Sequence, residues 1–200
     1  MGLVASSSLA VPLAVEDGAV LARRATAAVR ARLAGRPVDG RPPARPPLRA
    51  LGASFVTLER DGALRGCIGS LEPVRPLFVD VTRNAVKAMT DPRLAPVYCG
   101  EWPGLDVKVS VLSHPVPLPV MDRDELLAEL RPGLDGLIFA DDRRRATFLP
   151  AVWTKLPEPA RFVTALLDKG GWPPGDWPAR LRVYRYTAVE FFDRAPRAPL

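Results

Sequence analysis

The chain reads as an α+β domain: a mostly antiparallel sheet with helices packed on it. Three observations lead there. Two β-rich runs, 53–59 (ASFVTLE) and 63–68 (ALRGCI), flank Asp61-Gly62, a strong short hairpin signal. The segment 105–112 (LDVKVSVL) alternates valines with polar residues at the period of a half-buried strand. The whole order is helix, hairpin, helix, strand, helix, hairpin, helix, strand, and hairpins force antiparallel pairing where a βαβ repeat would give parallel strands. Proline, 23 of 200 residues, favours many short elements over long helices.

Residues 17–34 have helical periodicity, with Asp17 as the cap, Leu21, Ala25, Ala28 and Leu33 near one face, and Gly35 as the stop. The segment 36–49 (RPVDGRPPARPPLR) is Pro-rich and basic and reads as an extended polyproline-like loop. After the hairpin, a helix over 77–89 ends at Asp91-Pro92, because the residue before proline is biased away from helix. Asp122 caps a short helix to Leu130, reaching the backbone near Glu125, and Gly133 follows its end. Runs 137–140 and 146–149 form a second hairpin across the turn 141–145. A helix over 158–168, stopped by Gly170-Gly171, leads through a Trp/Pro/Gly loop at 171–177 to a final strand over 181–191.

The formal net charge of +6 raises the question of nucleic acid, so its location matters. Residues 1–50 carry eight Arg and three acids, whereas the remaining 150 carry 20 basic and 19 acidic side chains. The folded body is thus nearly neutral, and nucleic-acid binding is disfavoured. Arg143, Arg144 and Arg145 read as a solvated turn balanced by Asp141 and Asp142. Two cysteines and no basic n-region at the N-terminus point to free thiols in a reducing, cytoplasmic compartment. The apolar N-terminal stretch is too short and too broken by proline to span a bilayer. Gly2 to Ser6 also match the short myristoylation pattern, which recurs by chance.

Chemistry concentrates at 64–69 (LRGCIG), where Cys67 lies between Gly66 and Gly69 with Arg65 two positions upstream. Glycine inside a strand marks a close approach by another backbone or a ligand. Strand alternation places Arg65, Cys67 and Gly69 on one face. Three readings of Cys67 stay open: a nucleophile whose thiolate Arg65 stabilises, a metal ligand, or a small buried hydrophobe. With two Cys and one His, no spacing resembles a zinc site, so no metal is expected. His114 is the only imidazole for any Cys-His or Ser-His pair, and its bland reading is an exposed loop residue. Cys99 reads as structural. Ser110 faces with Lys108, away from the valine row, where it can reach a pocket. Trp102, Trp153, Trp172 and Trp177 lie near prolines and read as packing groups for loops.

The ordered series FVTLERDGALRGCIGSLEPVRPL, DPRL, DVKVSVLS, PGLDGLIF, RRATFLPAVW and VYRYTAVEFF resembles the AMMECR domain family, whose bacterial branch is called AmmeMemoRadiSam system protein A. The resemblance spans residues 17–193, leaving 1–16 as a flexible N-terminus and 194–200 as a tail. It implies an α+β domain of a larger and a smaller lobe, with the RGCIG segment at a pocket between elements. The family pattern falls on Arg65, Gly66, Cys67, Ile68 and Gly69, on Asp91, Pro92 and Arg93, on Ser110, on Asp135 and Gly136, and on Leu149 and Pro150, with Arg145 and Thr147 beside the last pair. Two departures stand out: Leu94 where the family usually has Phe, and no second cysteine before Lys169-Gly170-Gly171. Any family mechanism that needs that C-terminal thiol does not transfer.

Two functions follow as expectations. In one, a small molecule or modified residue binds around RGCIG, with Cys67 as the catalytic or contacting thiol and Arg65, Gly66, Gly69, Ser110 and Arg145 as binding residues. In the other, the protein is a non-catalytic interaction or scaffold module. By the resemblance, its partners are radical SAM and Memo-type proteins. The sequence names neither ligand nor cofactor.

Overall fold

A computed structural model of the protein describes residues 13–173 and 177–200. Most of the N-terminal segment, its Gly2–Ser6 pattern and residues 174–176 of the Trp/Pro/Gly loop lie outside them. The described chain forms two compact units: residues 13–112 with 189–200, and residues 113–188.

The larger unit holds helices α1 (Val15–Leu33) and α2 (Leu77–Ala88) and strands β1 (Ser54–Arg60), β2 (Ala63–Gly69) and β3 (Leu105–Leu112). Its last strand is β8 (Ala188–Asp193), and the sheet order is β2-β1-β3-β8. One face of this sheet, with Val56, Leu58, Val107 and Val109, packs in one core with Leu21, Ala25, Ala28 and Val29 of α1 and Leu77, Phe78, Val81 and Ala85 of α2. Those helical residues recur at three- and four-residue spacing, so one stripe of each helix is apolar.

The smaller unit holds β4 (Val116–Pro117), α3 (Arg123–Glu129), β5 (Gly136–Ala140), β6 (Arg145–Phe148), α4 (Pro159–Gly170) and β7 (Arg182–Tyr186), with sheet order β4-β7-β5-β6. Phe162, Val163, Leu166 and Leu167 of α4 fill its core with Leu137, Phe139 and Trp153. Trp153 stacks on Phe162, ring centroids 3.9 Å apart, and its Nε1–H donates to the Asp135 carbonyl at 2.7 Å. The fold is therefore α+β with antiparallel pairing, as the element order predicts, but its strands divide between two sheets where one was expected.

Most elements fall within a few residues of their expected bounds, and β3 falls on them. Asp122 caps α3 by accepting from the Glu125 N–H at 2.9 Å, and Gly171 ends α4 with φ 74°. Three expectations need correction. The helix expected from 17 starts at Val15, and Asp17 acts from inside its first turn, accepting from the Ala14 N–H at 3.0 Å. The final strand expected over 181–191 is two strands in different sheets, β7 and β8, interrupted at Thr187; there the Ser113 Oγ accepts from the Thr187 N–H at 2.9 Å. The basic segment after α1 ends in a 3₁₀ turn (Pro46–Arg49) that buries Leu48.

The loop tryptophans pack as expected: Trp102, Trp153 and Trp172 are buried. The Asp141-Asp142 pair is spent on structural contacts: Asp141 accepts from the N–H groups of Arg143 and Arg144, and Asp142 pairs with Arg180 and Arg182. The carboxy-terminal residues 194–200 dock on the larger unit, where the Trp102 Nε1–H donates to the Ala198 carbonyl at 2.9 Å.

Candidate functional site

The β1–β2 hairpin turns through Asp61 (φ 51°) and Gly62 (φ 77°), the two positive φ values that a two-residue hairpin loop needs. Its register sets Cys67 opposite Thr57 and Gly69 opposite Phe55, and β3 then sets Lys108 opposite Thr57 and Ser110 opposite Phe55. Directly opposed residues point to the same side of a sheet. Cys67, Thr57, Lys108 and Ser110 thus share the face opposite the valine core.

The register slips between Leu58 and Glu59, whose partners are Gly66 and Leu64, so Arg65 is the extra residue of a β-bulge. A bulge interrupts alternation. Cys67 and Gly69 keep their common face, while Arg65 turns its guanidinium to Glu101, donating from Nε to Oε1 and from a terminal nitrogen to Oε2 at 3.1 Å. Glu101 is almost fully buried and also accepts from the Tyr98 N–H at 3.1 Å. The Arg65 hydrogen bonds hold the Glu101 carboxyl below its usual range, and Arg65 is raised in return. The cation expected to serve Cys67 is committed to this ion pair.

The guanidinium beside Cys67 belongs to Arg93. After α2 the chain turns through Asp91-Pro92-Arg93, and the buried Asp91 carboxylate binds two partners at once. Its Oδ2 accepts from the Cys67 N–H at 3.0 Å and an Arg93 terminal nitrogen at 2.6 Å. Its Oδ1 accepts from Arg93 Nε at 2.9 Å and the Arg93 N–H at 3.1 Å. Arg93 also donates to the Cys67 carbonyl at 3.0 Å, so both main-chain polar groups of Cys67 are held by the DPR turn. The Arg93 hydrogen bonds, helped by the Cys67 and Arg93 N–H groups, hold Asp91 far below the ordinary carboxylate range against the opposing effect of burial. Arg93 is raised, first by Asp91 and last by the nearby Cys67. Its side chain is nonetheless 60% exposed. The Cys67 thiol is half-buried, and the Thr57 hydroxyl donates to its sulfur at 3.3 Å.

The two glycines of the motif make room for the protein's own atoms. A Cβ on Gly66 would collide with the Ala88 carbonyl at the end of α2, and one on Gly69 with the Phe55 ring. Gly66 thereby seats the end of α2 against the hairpin.

Ser110 is buried and donates to Glu190 at 3.2 Å, and Glu190 also pairs with Lys108 at 3.5 Å. Arg145, on β6, and the exposed His114 belong to the smaller unit. Cys99 is exposed, contrary to its structural reading, because it opens a short 3₁₀ turn on the surface.

A buried polar cluster beside the hairpin escapes sequence reading. The Asp80 carboxylate, fully buried, accepts from the Ser54 N–H at 2.9 Å, the Ser54 hydroxyl at 2.7 Å, Asn84 at 2.9 Å, the Ser70 hydroxyl at 2.5 Å and Arg75 at 2.6 Å. It ties α2 to the start of β1 and the end of β2. The only sequence signal is an acid and an amide, Asp80 and Asn84, four residues apart on the apolar face of a helix. Among the described residues no group of three His, Cys, Asp or Glu could hold a metal ion, and no helix is long and apolar enough to cross a membrane.

In sum of chemistry, the site offers a soft, partly accessible thiol on an immobilised backbone, beside a guanidinium with exposed surface.

The AMMECR1 family profile matches residues 21–191. A protein of Methanothermobacter thermautotrophicus is 38% identical over 186 residues, covering 91% of this chain and 97% of its own. Protein MJ0810 of Methanocaldococcus jannaschii is 33% identical, with 92% and 94% covered. Among solved structures, the crystal structure of uncharacterized protein PH0010 from Pyrococcus horikoshii superposes with a TM-score of 0.82 at 31% identity, covering 91% of this chain and 94% of that one. By sequence and by fold, the chain belongs to the AMMECR1 family.

Proposed function

We propose that this AMMECR1-family protein binds a small anionic molecule, or a modified residue bearing an anion, at the surface around Cys67, with the thiol as its contact. One observation carries this reading: Arg93 touches the Cys67 main chain and balances Asp91, yet leaves most of its side chain in solvent. A guanidinium has five N–H donors in a planar fork, and those not used internally suit a carboxylate or phosphate. Arg93 takes the role expected of Arg65. Gly66 and Gly69 act indirectly, by fixing the ribbon that carries the thiol.

Alkylation with a charged and a neutral reagent tests this. Cys67 and Cys99 are labelled in the same sample with iodoacetate and with iodoacetamide, and each is read by peptide mass spectrometry. The expected result is an iodoacetate-to-iodoacetamide rate ratio several-fold higher at Cys67 than at Cys99, falling to the Cys99 value in Arg93→Met. Equal ratios at the two thiols of the wild-type protein would remove the reading.

A further inference from the structure

The Pro- and Arg-rich stretch after α1 is not used by the Cys67 surface, and it builds a second concave feature. A groove of about 530 Å³ runs along α1 and is walled on its other side by residues 36–39. Its floor is small and apolar: Val20, Ala27, Ala28, Ala31 and Val38. Val20, Ala27 and Ala31 recur at seven- and four-residue spacing, so they form one stripe of the helix. Arg24 fixes the far wall. Its guanidinium donates to the carbonyls of Asp39 at 3.0 Å and Arg41 at 2.8 Å, and to the Thr82 hydroxyl at 2.9 Å, while lying over the Phe78 ring.

The rim is cationic. Arg23 and Arg36 line the groove and are exposed, and the rim's one carboxylate, Asp39, is already held by Arg41. The Arg36 N–H donates to the Ala31 carbonyl at 2.8 Å, which places Arg36 beside the helix end. From Arg23 to Ala31 the helix rises about 12 Å at 1.5 Å per residue. The two arginines thus rise from backbone positions about two helical turns apart, one toward each end of the groove. An extended peptide advances about 3.3 Å per residue, so acidic residues four positions apart span about the same distance.

We propose that this groove docks an extended acidic segment of a partner protein. Two carboxylates about four residues apart meet Arg23 and Arg36, and a small apolar side chain between them rests on the Ala27–Ala31 floor. Charge complementarity carries the choice of occupant, since residues 1–50 hold nearly all of the chain's positive excess. This surface is separate from the Cys67 site and does not depend on it.

The test is fluorescence anisotropy with a labelled hexapeptide carrying two glutamates four positions apart around valine and alanine, and a second peptide with lysine in place of each glutamate. The expected result is binding of the glutamate peptide only, weakened at least tenfold by Arg36→Glu and by Ala27→Trp, which fills the floor. Arg30→Glu, on the helix but outside the groove, leaves binding within twofold, and circular dichroism verifies that each variant is folded. Equal binding of both peptides, or an Arg30→Glu loss as large as that of Arg36→Glu, would overturn the proposal. A concentration-dependent dimer in sedimentation that Ala27→Trp abolishes would also overturn it, assigning the groove to a second copy of the chain.

Discussion

The buried carboxylate of Asp91 accepts the main-chain N–H of Cys67, 24 positions earlier in the chain, at 3.0 Å. That N–H faces the open edge of β2, the outermost strand of its sheet. An unpaired strand edge is a template for foreign strands. Here Asp91 takes the donor and Arg93 the acceptor of the same residue, so the edge is closed at the thiol while the side chain stays on the sheet face.

Asp91→Asn is expected to cost about 2 kcal/mol, because charge-assisted bonds are lost while the Cys67 N–H keeps only a neutral acceptor. The effect depends on pH in a defined sense. Asp91 titrates lower in the folded protein than in the unfolded chain. Its contribution is therefore complete above the unfolded value of about 3.9 and is lost as pH falls toward the folded one. Urea titrations at pH 7 and pH 3 check this: the gap between wild type and Asp91→Asn narrows in acid. A constant gap would mean that the carboxylate's charge contributes nothing.

Gly66→Ala is expected to destabilise by about 2 kcal/mol or more, since the added methyl meets the Ala88 carbonyl and neither backbone can yield without shifting α2 from the hairpin. Gly40→Ala is the control, because a Cβ there meets nothing and φ is ordinary. Thermal melts of the two variants decide the matter, and a Gly66→Ala Tm within a degree of wild type refutes the packing role.

Arg65→Ala is expected to cost about 3 kcal/mol, because it strands the nearly buried Glu101 carboxylate. The double variant Arg65→Ala/Glu101→Gln should recover part of that loss, as removing both charges removes the uncompensated one. Denaturant unfolding of the four proteins in the cycle measures the coupling, and strict additivity would show that the pair is not a unit. Arg65→Ala should also leave the alkylation ratio at Cys67 unchanged, which separates its role from that of Arg93.

Three strands of the larger sheet, β1 to β3, were legible because their signals are local. Asp61-Gly62 dictates a turn, LDVKVSVL alternates, and proline and glycine punctuate the helices. The site was legible only to its first residue. Cys67 stands out by its glycines, but the guanidinium beside it comes from 26 positions downstream, and the nearer Arg65 is diverted by a one-residue bulge that no propensity marks. Asp80, Ser54, Ser70 and Asn84 escaped for a related reason. A polar residue inside an apolar helical stripe reads as noise until its partners from other elements arrive. The division of 181–191 between two sheets escaped because both halves satisfy the same β-rich pattern, and only tertiary pairing tells them apart.

The break at Thr187 bears on the order in which the molecule assembles. Among the described residues the smaller unit is contiguous, whereas the larger one must recruit residues 189–200 from beyond it. Gly18 of α1 has no Cβ where the Phe191 ring of β8 packs, so the first helix is shaped for a strand that is synthesised some 170 residues later. During translation the larger sheet therefore keeps a vacant edge at β3 until its closing strand emerges.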